Sequence, residues 1–291
     1  MSVIRNIFET NQATHFGLGL RPLHYEEIIN SKPAVDWFEC LTEDYIDQSG
    51  DDFMSLEKIR VHYPVSLHGV SLSIGSVDPL NKSYLQALKK LMHTVQPISI
   101  SDHFCWTGVN GVNTHDLLPL PYTFETVEHL VSRIHTVQDF LGRQIMLENV
   151  SSYAAFSVSD MTEWEFISEV SKRADCFILL DINNIYVNAF NHGFSAEEYL
   201  QGVPIDRVKQ FHLAGHKHCQ THIIDTHDAE IIDDVWDLYA KAIGRFKNVP
   251  VIIERDSNIP PLSELMGELN KVREMSVLSW NRSASANDRT L

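Results

Sequence analysis

The sequence predicts an α/β chain closed into a (β/α)8 TIM barrel, and three observations carry that prediction. Eight short apolar runs of strand character alternate with eight segments of helical periodicity. No linker splits the series into two units. Seven of the eight runs end on or near a His, Asp or Glu, as expected where the same end of every strand faces one site. Alternation of this kind gives parallel strands with right-handed crossovers. Eight such units in one chain of 291 residues fit a closed barrel better than an open sheet.

The strand runs are FGLGLR (Phe16–Arg21), DWFEC (Asp36–Cys40), YPVSLHG (Tyr63–Gly69), ISISDH (Ile98–His103), QIMLENV (Gln144–Val150), CFILLDINN (Cys176–Asn184), VKQFHLAGH (Val208–His216) and VPVIIERD (Val249–Asp256). Short helices are expected around His24–Asn30 and Phe53–His62. Ser83–Val95 places Leu85, Leu88, Leu91 and Met92 on one face at spacings of three and four. Thr123–Gly142 starts on a capping threonine, ends in glycine, and aligns Val127, Leu130, Val131, Ile134 and Val137. Thr162–Ala174, Ser195–Gln201, Ile232–Phe246 and Pro260–Met275 complete the set. The reading is one barrel domain over residues 1–275. Residues 276–291 lack apolar periodicity and are expected to lie outside the barrel, poorly ordered.

Composition narrows the class. No run approaches the ~18 apolar residues of a membrane span. The segment MSVIRNIFET offers no apolar core ahead of a cleavage site, so a cytoplasmic location is expected. The four cysteines, Cys40, Cys105, Cys176 and Cys219, form no CxxC pair and read as reduced thiols. Cys176 belongs to the core, and Cys105 follows His103 closely enough to neighbour the site. A net charge of −16 argues against a nucleic-acid partner, which demands basic residues to neutralise phosphates. Buried carboxylate ligands account for part of the excess, so the charge is compatible with bound cations.

The strand ends present Glu39, His68, His103, Glu148, Asp181, His212 and Glu254. Side chains alternate along a strand, so Ser66 shares a face with His68, Met146 with Glu148, Asp181 with Asn183, and Ile252 with Glu254. The loop NAFNHG after the sixth run adds His192. The segment after the seventh adds His216, His218, His222, Asp225, His227 and Asp228. Asp225 and His227, two apart, face the same way on an extended segment, and loops at this end of a barrel commonly carry catalytic groups. Each residue alone has a plainer role. Asp181 or Glu254 would cap a helix, and His68 or His103 would be a satisfied core imidazole. Glu39 fits a structural role as well as a ligand role, and NNIYVNAFN fits a turn. His24, His62, His93, His129 and His135 fall on helical segments and are expected at the surface. Independent structural residues, however, have no reason to choose the same end of each strand. Mixed imidazole and carboxylate donors without thiolate suit zinc, iron or manganese. More donors are present than one ion uses, and two or three ions bridged by carboxylates would use them.

Eight motifs then carry a resemblance: GLGLR (Gly17–Arg21), SLHG (Ser66–Gly69), SDH-x-x-W (Ser101–Trp106), LENVSSY (Leu147–Tyr153), LLDINNIYVNAFNHG (Leu179–Gly193), FHLAGH (Phe211–His216), DTHD (Asp225–Asp228) and ERD-x-x-IP (Glu254–Pro260). In order and combination they resemble the multinuclear non-haem iron-dependent oxidative enzymes, which include the methanobactin biosynthesis oxidase. The resemblance implies a xylose-isomerase-like barrel holding two or three iron ions of mixed ferrous and ferric state. Motif by motif it implies His68, His103, Glu148, Asp181, His212, Asp225, His227 and Glu254 as ligands. Asn149 would complete a coordination sphere, and His192 and His216 would be ligands or their neighbours. It further implies oxidation of cysteine residues in a ribosomally made precursor peptide by dioxygen, with a separate protein binding the peptide leader. Two other readings share the donor pattern. One is a divalent-metal (zinc or manganese) isomerase or hydrolase of the same barrel superfamily, for which the strand-end lysine of the isomerases and the basic surface of the DNA enzymes are missing. The other is a non-catalytic metal-binding protein.

Overall fold

Strands this short hold a barrel only because both of their faces are buried. In the computed structural model, which describes residues 14–287 (side chains through residue 278), the eight runs become β1 (Phe16–Gly19), β2 (Trp37–Leu41), β3 (Val65–His68), β4 (Ile100–His103), β5 (Met146–Glu148), β6 (Phe177–Asp181), β7 (Val208–Leu213) and β8 (Val251–Ile253). Each pairs in parallel with its sequence neighbours, and β8 closes on β1. The N-terminal segment read for export lies outside the described residues. No helix among the described residues is long and apolar enough to cross a membrane.

Alternation sorts the side chains into two cores. Outward residues such as Phe38, Cys40, Leu67 and Phe211 join the large apolar cluster beneath the helices. The inward floor of the barrel is a separate cluster of Trp37, Ile98 and Ile252. Gly17 leaves room for it: a Cβ there would stand 2.6 Å from Ile252 Cδ1 and 2.7 Å from Trp37 Nε1. Above the floor the interior turns polar.

The helices follow their expected faces, with Leu85, Leu88, Leu91 and Met92 all buried on the helix Lys82–Val95. Asn81, Thr123, Thr162 and Ser195 accept backbone N–H groups at their helix starts, and Thr162 forms a capping box with Glu165. Four features depart from the sequence reading. DINNIYVNAFN is not a turn: Asp181 caps a helix, Ile182–His192, so Asn183 lies in a first helical turn and His192 in a last one. A hairpin, Trp106–Val109 with Val112–Leu118, follows β4, and a smaller one follows β7. His24 is buried rather than exposed, its Nε2–H donating to the Pro260 carbonyl at 2.8 Å. The last helix, Leu262–Asn287, runs on past Met275.

One buried acid ties three helices together. Glu163 opens the helix Glu163–Arg173 and accepts from Tyr199 Oη at 2.9 Å and Asn188 Nδ2 at 3.1 Å. Burial pushes its carboxyl pKa up to about 7, with the donors Tyr199, Asn188 and Tyr122 opposing the rise.

Two outcomes follow from this packing. Gly17→Ala should destabilise the barrel by about 1–3 kcal/mol through overpacking of its floor, read as a lower urea midpoint at unchanged slope. Because Glu163 titrates above its ordinary 4.5, its contribution is fully present below that pH and is lost as pH rises through about 7. Glu163→Gln keeps the neutral form, so above pH 7 it should exceed the parent's stability by on the order of 1–3 kcal/mol, with the gap closing in acid. Parallel stability curves across that range would show that the acid is not protonated in the fold.

Candidate metal centre

The polar interior is built upward from Glu39. Its Oε2 accepts Ser66 Oγ at 2.9 Å and Gln210 Nε2 at 2.7 Å, from β3 and from β7 across the barrel. Its Oε1 lies 2.6 Å from His212 Nε2. A carboxylate in that position fixes the ring and aims the other nitrogen. His212 Nδ1 accordingly faces upward, 3.0 Å from Glu254 Oε2 and 3.4 Å from Glu148 Oε1. Glu39 therefore orients an imidazole instead of joining the upper donors.

His68 and His103, at the ends of β3 and β4, are held the same way. His103 Nδ1–H donates to the Gly69 carbonyl at 3.0 Å, and His68 Nδ1 is 2.8 Å from Ser101 Oγ. Both Nε2 atoms then converge on Glu148 Oε2, at 3.1 Å from His68 and 3.3 Å from His103. Glu148 thus stands among three imidazoles on three different strands.

The loop after β7 closes the other side. His227 adopts a left-handed backbone (φ 46°), a conformation seldom held by a non-glycine residue without a local reason. That turn directs its Nε2 to 2.8 Å from Asp225 Oδ1 and 4.0 Å from Asp181 Oδ2. Its Nδ1 lies 3.3 Å from Glu254 and 3.2 Å from Asp256. Arg21 spans the rim, 2.5 Å from Asp256 and 3.8 Å from Glu254.

Electrostatics and unmet hydrogen bonding mark the place where a cation fits. Burial opposes charge on His68, but the Glu148 carboxylate outweighs it and raises the imidazole pKa to about 9. His212 and His227 are likewise driven upward against burial by the acids around them. Glu148 and Glu254 are held low by these imidazoles despite burial. Asp181 moves the other way, raised by burial and by the charge of Glu148. Four buried atoms, Glu148 Oε2, Asp181 Oδ2, His212 Nδ1 and His227 Nε2, make no hydrogen bond of acceptable geometry despite these close approaches. Leaving such atoms unpaired costs about 1–3 kcal/mol each, and a coordinated ion removes the deficit. Among the described residues, donor atoms within 4.8 Å of one another come in four groups: His68, His103 and Glu148; His68, His212 and Glu254; Glu148, Asp181, His212 and Glu254; and His227, Glu254 and Asp256. The groups overlap through His68, Glu148, His212 and Glu254, so the residues fit more than one ion.

The donor groups bring together seven of the sequence candidates: His68, His103, Glu148, Asp181, His212, His227 and Glu254. Asp225 joins through His227. Asp181 fills both of its roles, Oδ1 capping Asn184 N–H at 2.7 Å while Oδ2 faces the cluster. Three candidates stand apart. Asn149 is tied by its amide group to the backbone of Asp181, at 2.8 and 3.1 Å. His192 bonds Ser152, at 2.7 Å to its Oγ. His216 bonds Asn183 Oδ1 at 2.7 Å and stacks on Tyr186. Cys105 is buried, its thiol pKa pushed well up by burial, and belongs to none of the groups. Sequence reasoning passed over Asp256, which, two residues beyond Glu254, was legible as a same-face partner. Asn183, placed by strand alternation on the face of Asp181, lies instead in the following helix and donates to Asp225 Oδ1 at 2.8 Å. The cluster opens into a cavity of about 590 Å3 walled by Val70, Leu117, Val150, Tyr153 and Ile259, with acids at its rim.

Comparison with known proteins agrees with this geometry. Among solved structures, the fold is similar to 3-keto-D-glucoside 4-epimerase from E. coli (TM-score 0.58, 12% identity, covering 89% of this chain and 99% of that one). It is also similar to endonuclease IV from Thermus thermophilus (TM-score 0.54, 11% identity, covering 92% and 99%). The barrel is thus of the xylose-isomerase-like kind, a likeness that extends to fold alone. In sequence, a UPF0276 protein of Anaeromyxobacter sp. strain Fw109-5 is 48% identical over 266 residues, spanning 91% of this chain and 94% of the relative. A family model described as "RiPP precursor modification enzyme MbnB/TglH/ChrH" matches residues 15–277. With nearly the whole barrel and every donor group inside that match, the chain belongs to the MbnB/TglH/ChrH family of RiPP precursor modification enzymes.

Proposed function

We propose that the protein is a multinuclear non-haem iron oxidase that uses dioxygen to modify cysteine in a ribosomally made precursor peptide, in the cytoplasm and with a separate leader-binding protein. The observation that carries the reading is the sharing of Glu148 and Glu254 between donor groups. A carboxylate placed among several imidazoles suits ions held side by side, as in sites where paired metals lie ~4 Å apart. The ligands would be His68, His103, Glu148, Asp181, His212, His227 and Glu254, with Asp225 and Asp256 completing the outer side. Bound iron would supply the affinity for thiolate sulfur and for dioxygen that side chains lack. The chain's own residues do the rest. Glu39, Ser101 and the Gly69 carbonyl keep three imidazoles aimed at one volume. Arg21 holds Asp256 in place at the rim and offsets part of the acidic charge. Val70, Leu117 and Val150 wall the approach and limit water. Among the described residues the cavity lining includes Arg21 but no lysine, which supports this reading over a sugar isomerase.

Two measurements test the proposal. Protein from iron-replete cells, purified under argon, should carry at least two ions per chain, lose them to a chelator with a fall in Tm, and consume dioxygen only when a cysteine-containing precursor peptide is added. A single ion, or zinc with no oxygen uptake, would end the iron-oxidase reading. Glu39→Gln should lower metal affinity by about 10–100-fold while the barrel stays folded, because it frees the His212 ring without removing a donor. Unchanged affinity would show that Glu39 serves the fold alone.

A further inference from the structure

A second cavity lies directly behind one wall of the first. It measures about 300 Å3 and is lined chiefly by Pro119, Leu120, Tyr122, Phe156, Trp164 and Phe194. Two chain segments separate it from the metal-lined cavity, and their residues divide between the two sides. Leu117 faces the first cavity while Pro119 and Leu120 face the second. Along the loop after β5, Ser151 and Tyr153 face the first, whereas Ser152, Ala154 and Ala155 face the second. At both segments, near neighbours in sequence thus line opposite cavities.

The floor of this second cavity is fixed and has few polar groups to offer. Trp164 packs edge-on against Phe194 and Tyr199, each at 5.5 Å between ring centres. Glu163 is occupied by Tyr199 and Asn188, and His192 Nε2 by Ser152. An occupant therefore gains by burying apolar surface. Phe156, which lines the cavity, is 42% exposed, and Val158, two residues further along the same loop, is 66% exposed. A volume at the small end of the ~300–1,000 Å3 typical of ligand pockets admits one large side chain, not a second protein element.

We infer that this cavity is a side-chain subsite for the peptide substrate. It would receive an aliphatic or aromatic residue lying two to four positions from the residue presented to the metal cluster. The inference rests on the proposed peptide substrate. The offset follows from chain geometry: crossing a wall of roughly 10 Å takes about three residues at ~3.3 Å each. It also gives His192 and Ser152 a place, as residues that shape the subsite from below.

The test uses the full chain, loaded with iron under argon, and eight-residue peptides of Gly and Ser around one Cys. A single Leu or Phe is moved through one to four positions on either side of the Cys. One offset should bind at least about tenfold more tightly than the peptide without it. Ala155→Trp, which fills the cavity from its wall, should erase that gain while metal content and binding of the plain Cys peptide stay unchanged. Equal binding at every offset, or a preference that survives Ala155→Trp, would overturn the inference. A parallel fluorine NMR titration with N-acetyl-4-fluorophenylalanine amide reports on the cavity without cysteine or metal. Saturable binding lost in Ala155→Trp, or in Ala154→Phe if the first variant fails to fold, supports the subsite even where the cysteine peptides do not bind, a result that would count against the oxidase reading alone. No saturable binding of the probe to the parent protein would overturn the subsite.

Discussion

A closed barrel has no room for uncompensated charge, yet this one carries Glu39, Glu148, Asp181 and Glu254 within its interior or at its mouth. An isolated carboxylate removed from water is expensive, and real proteins neutralise or pair it. Here the pairing comes from inside the same ring of strands. The neighbouring acids shift His68, His212 and His227 toward their charged forms against burial, Arg21 adds a positive charge from the rim, and burial with the charge of Glu148 shifts Asp181 toward its neutral form. Protons and metal cations therefore compete for one volume. Binding a cation there displaces protons from the imidazoles, coupling loading to pH in the sense general for metal sites.

The rest of the architecture serves that arrangement. The floor of Trp37, Ile98 and Ile252 is buried and tightly packed, and Glu39 with its polar partners stands above it. Above it, His68, His103 and His212 each have one nitrogen committed to a neighbour and one directed at the cluster. The helix Ile182–His192 begins at Asp181, so the positive end of its dipole faces a buried acid. The loop after β7 bends through His227 to cap the assembly from the solvent side, which is why the ring needs a left-handed backbone to point inward.

Much of this was legible from spacing alone. Apolar runs of strand length, helices of period 3.6 between them, and acids or imidazoles at one end of successive strands are local signals, and a parallel barrel is the simplest fold that unites them. What escaped was set by contacts distant in sequence. Glu39 could not be told from a ligand because its role depends on Gln210 and His212 across the barrel. Asn149, His192 and His216 sit in motifs dense with candidate donors, yet each is hydrogen-bonded to a neighbour, Asn149 to the turn that caps the next helix. The helix Ile182–His192 was obscured by its asparagines, which look like turn residues until Asn184 and Asn188 are seen bonding the loop after β5. The hairpin after β4 was missed, although Asn110–Gly111 between two valines is a strong two-residue turn signal.

The donor groups also time their own assembly. Glu148 meets His68, His103 and His212 only when four strands are in register, Glu254 meets His212 once β8 pairs with β7, and the two join His68 only after the last strand has closed against the first. A slip of one residue in any of these strands would turn its donor to the opposite face. Half-made barrels, or chains still missing their C-terminal strand during synthesis, therefore hold at most the group of His68, His103 and Glu148 and lack those that Glu254 completes. An ion that binds in this volume arrives late on the folding route and acts as a latch on completed closure, slowing reopening and leaving misregistered chains without it.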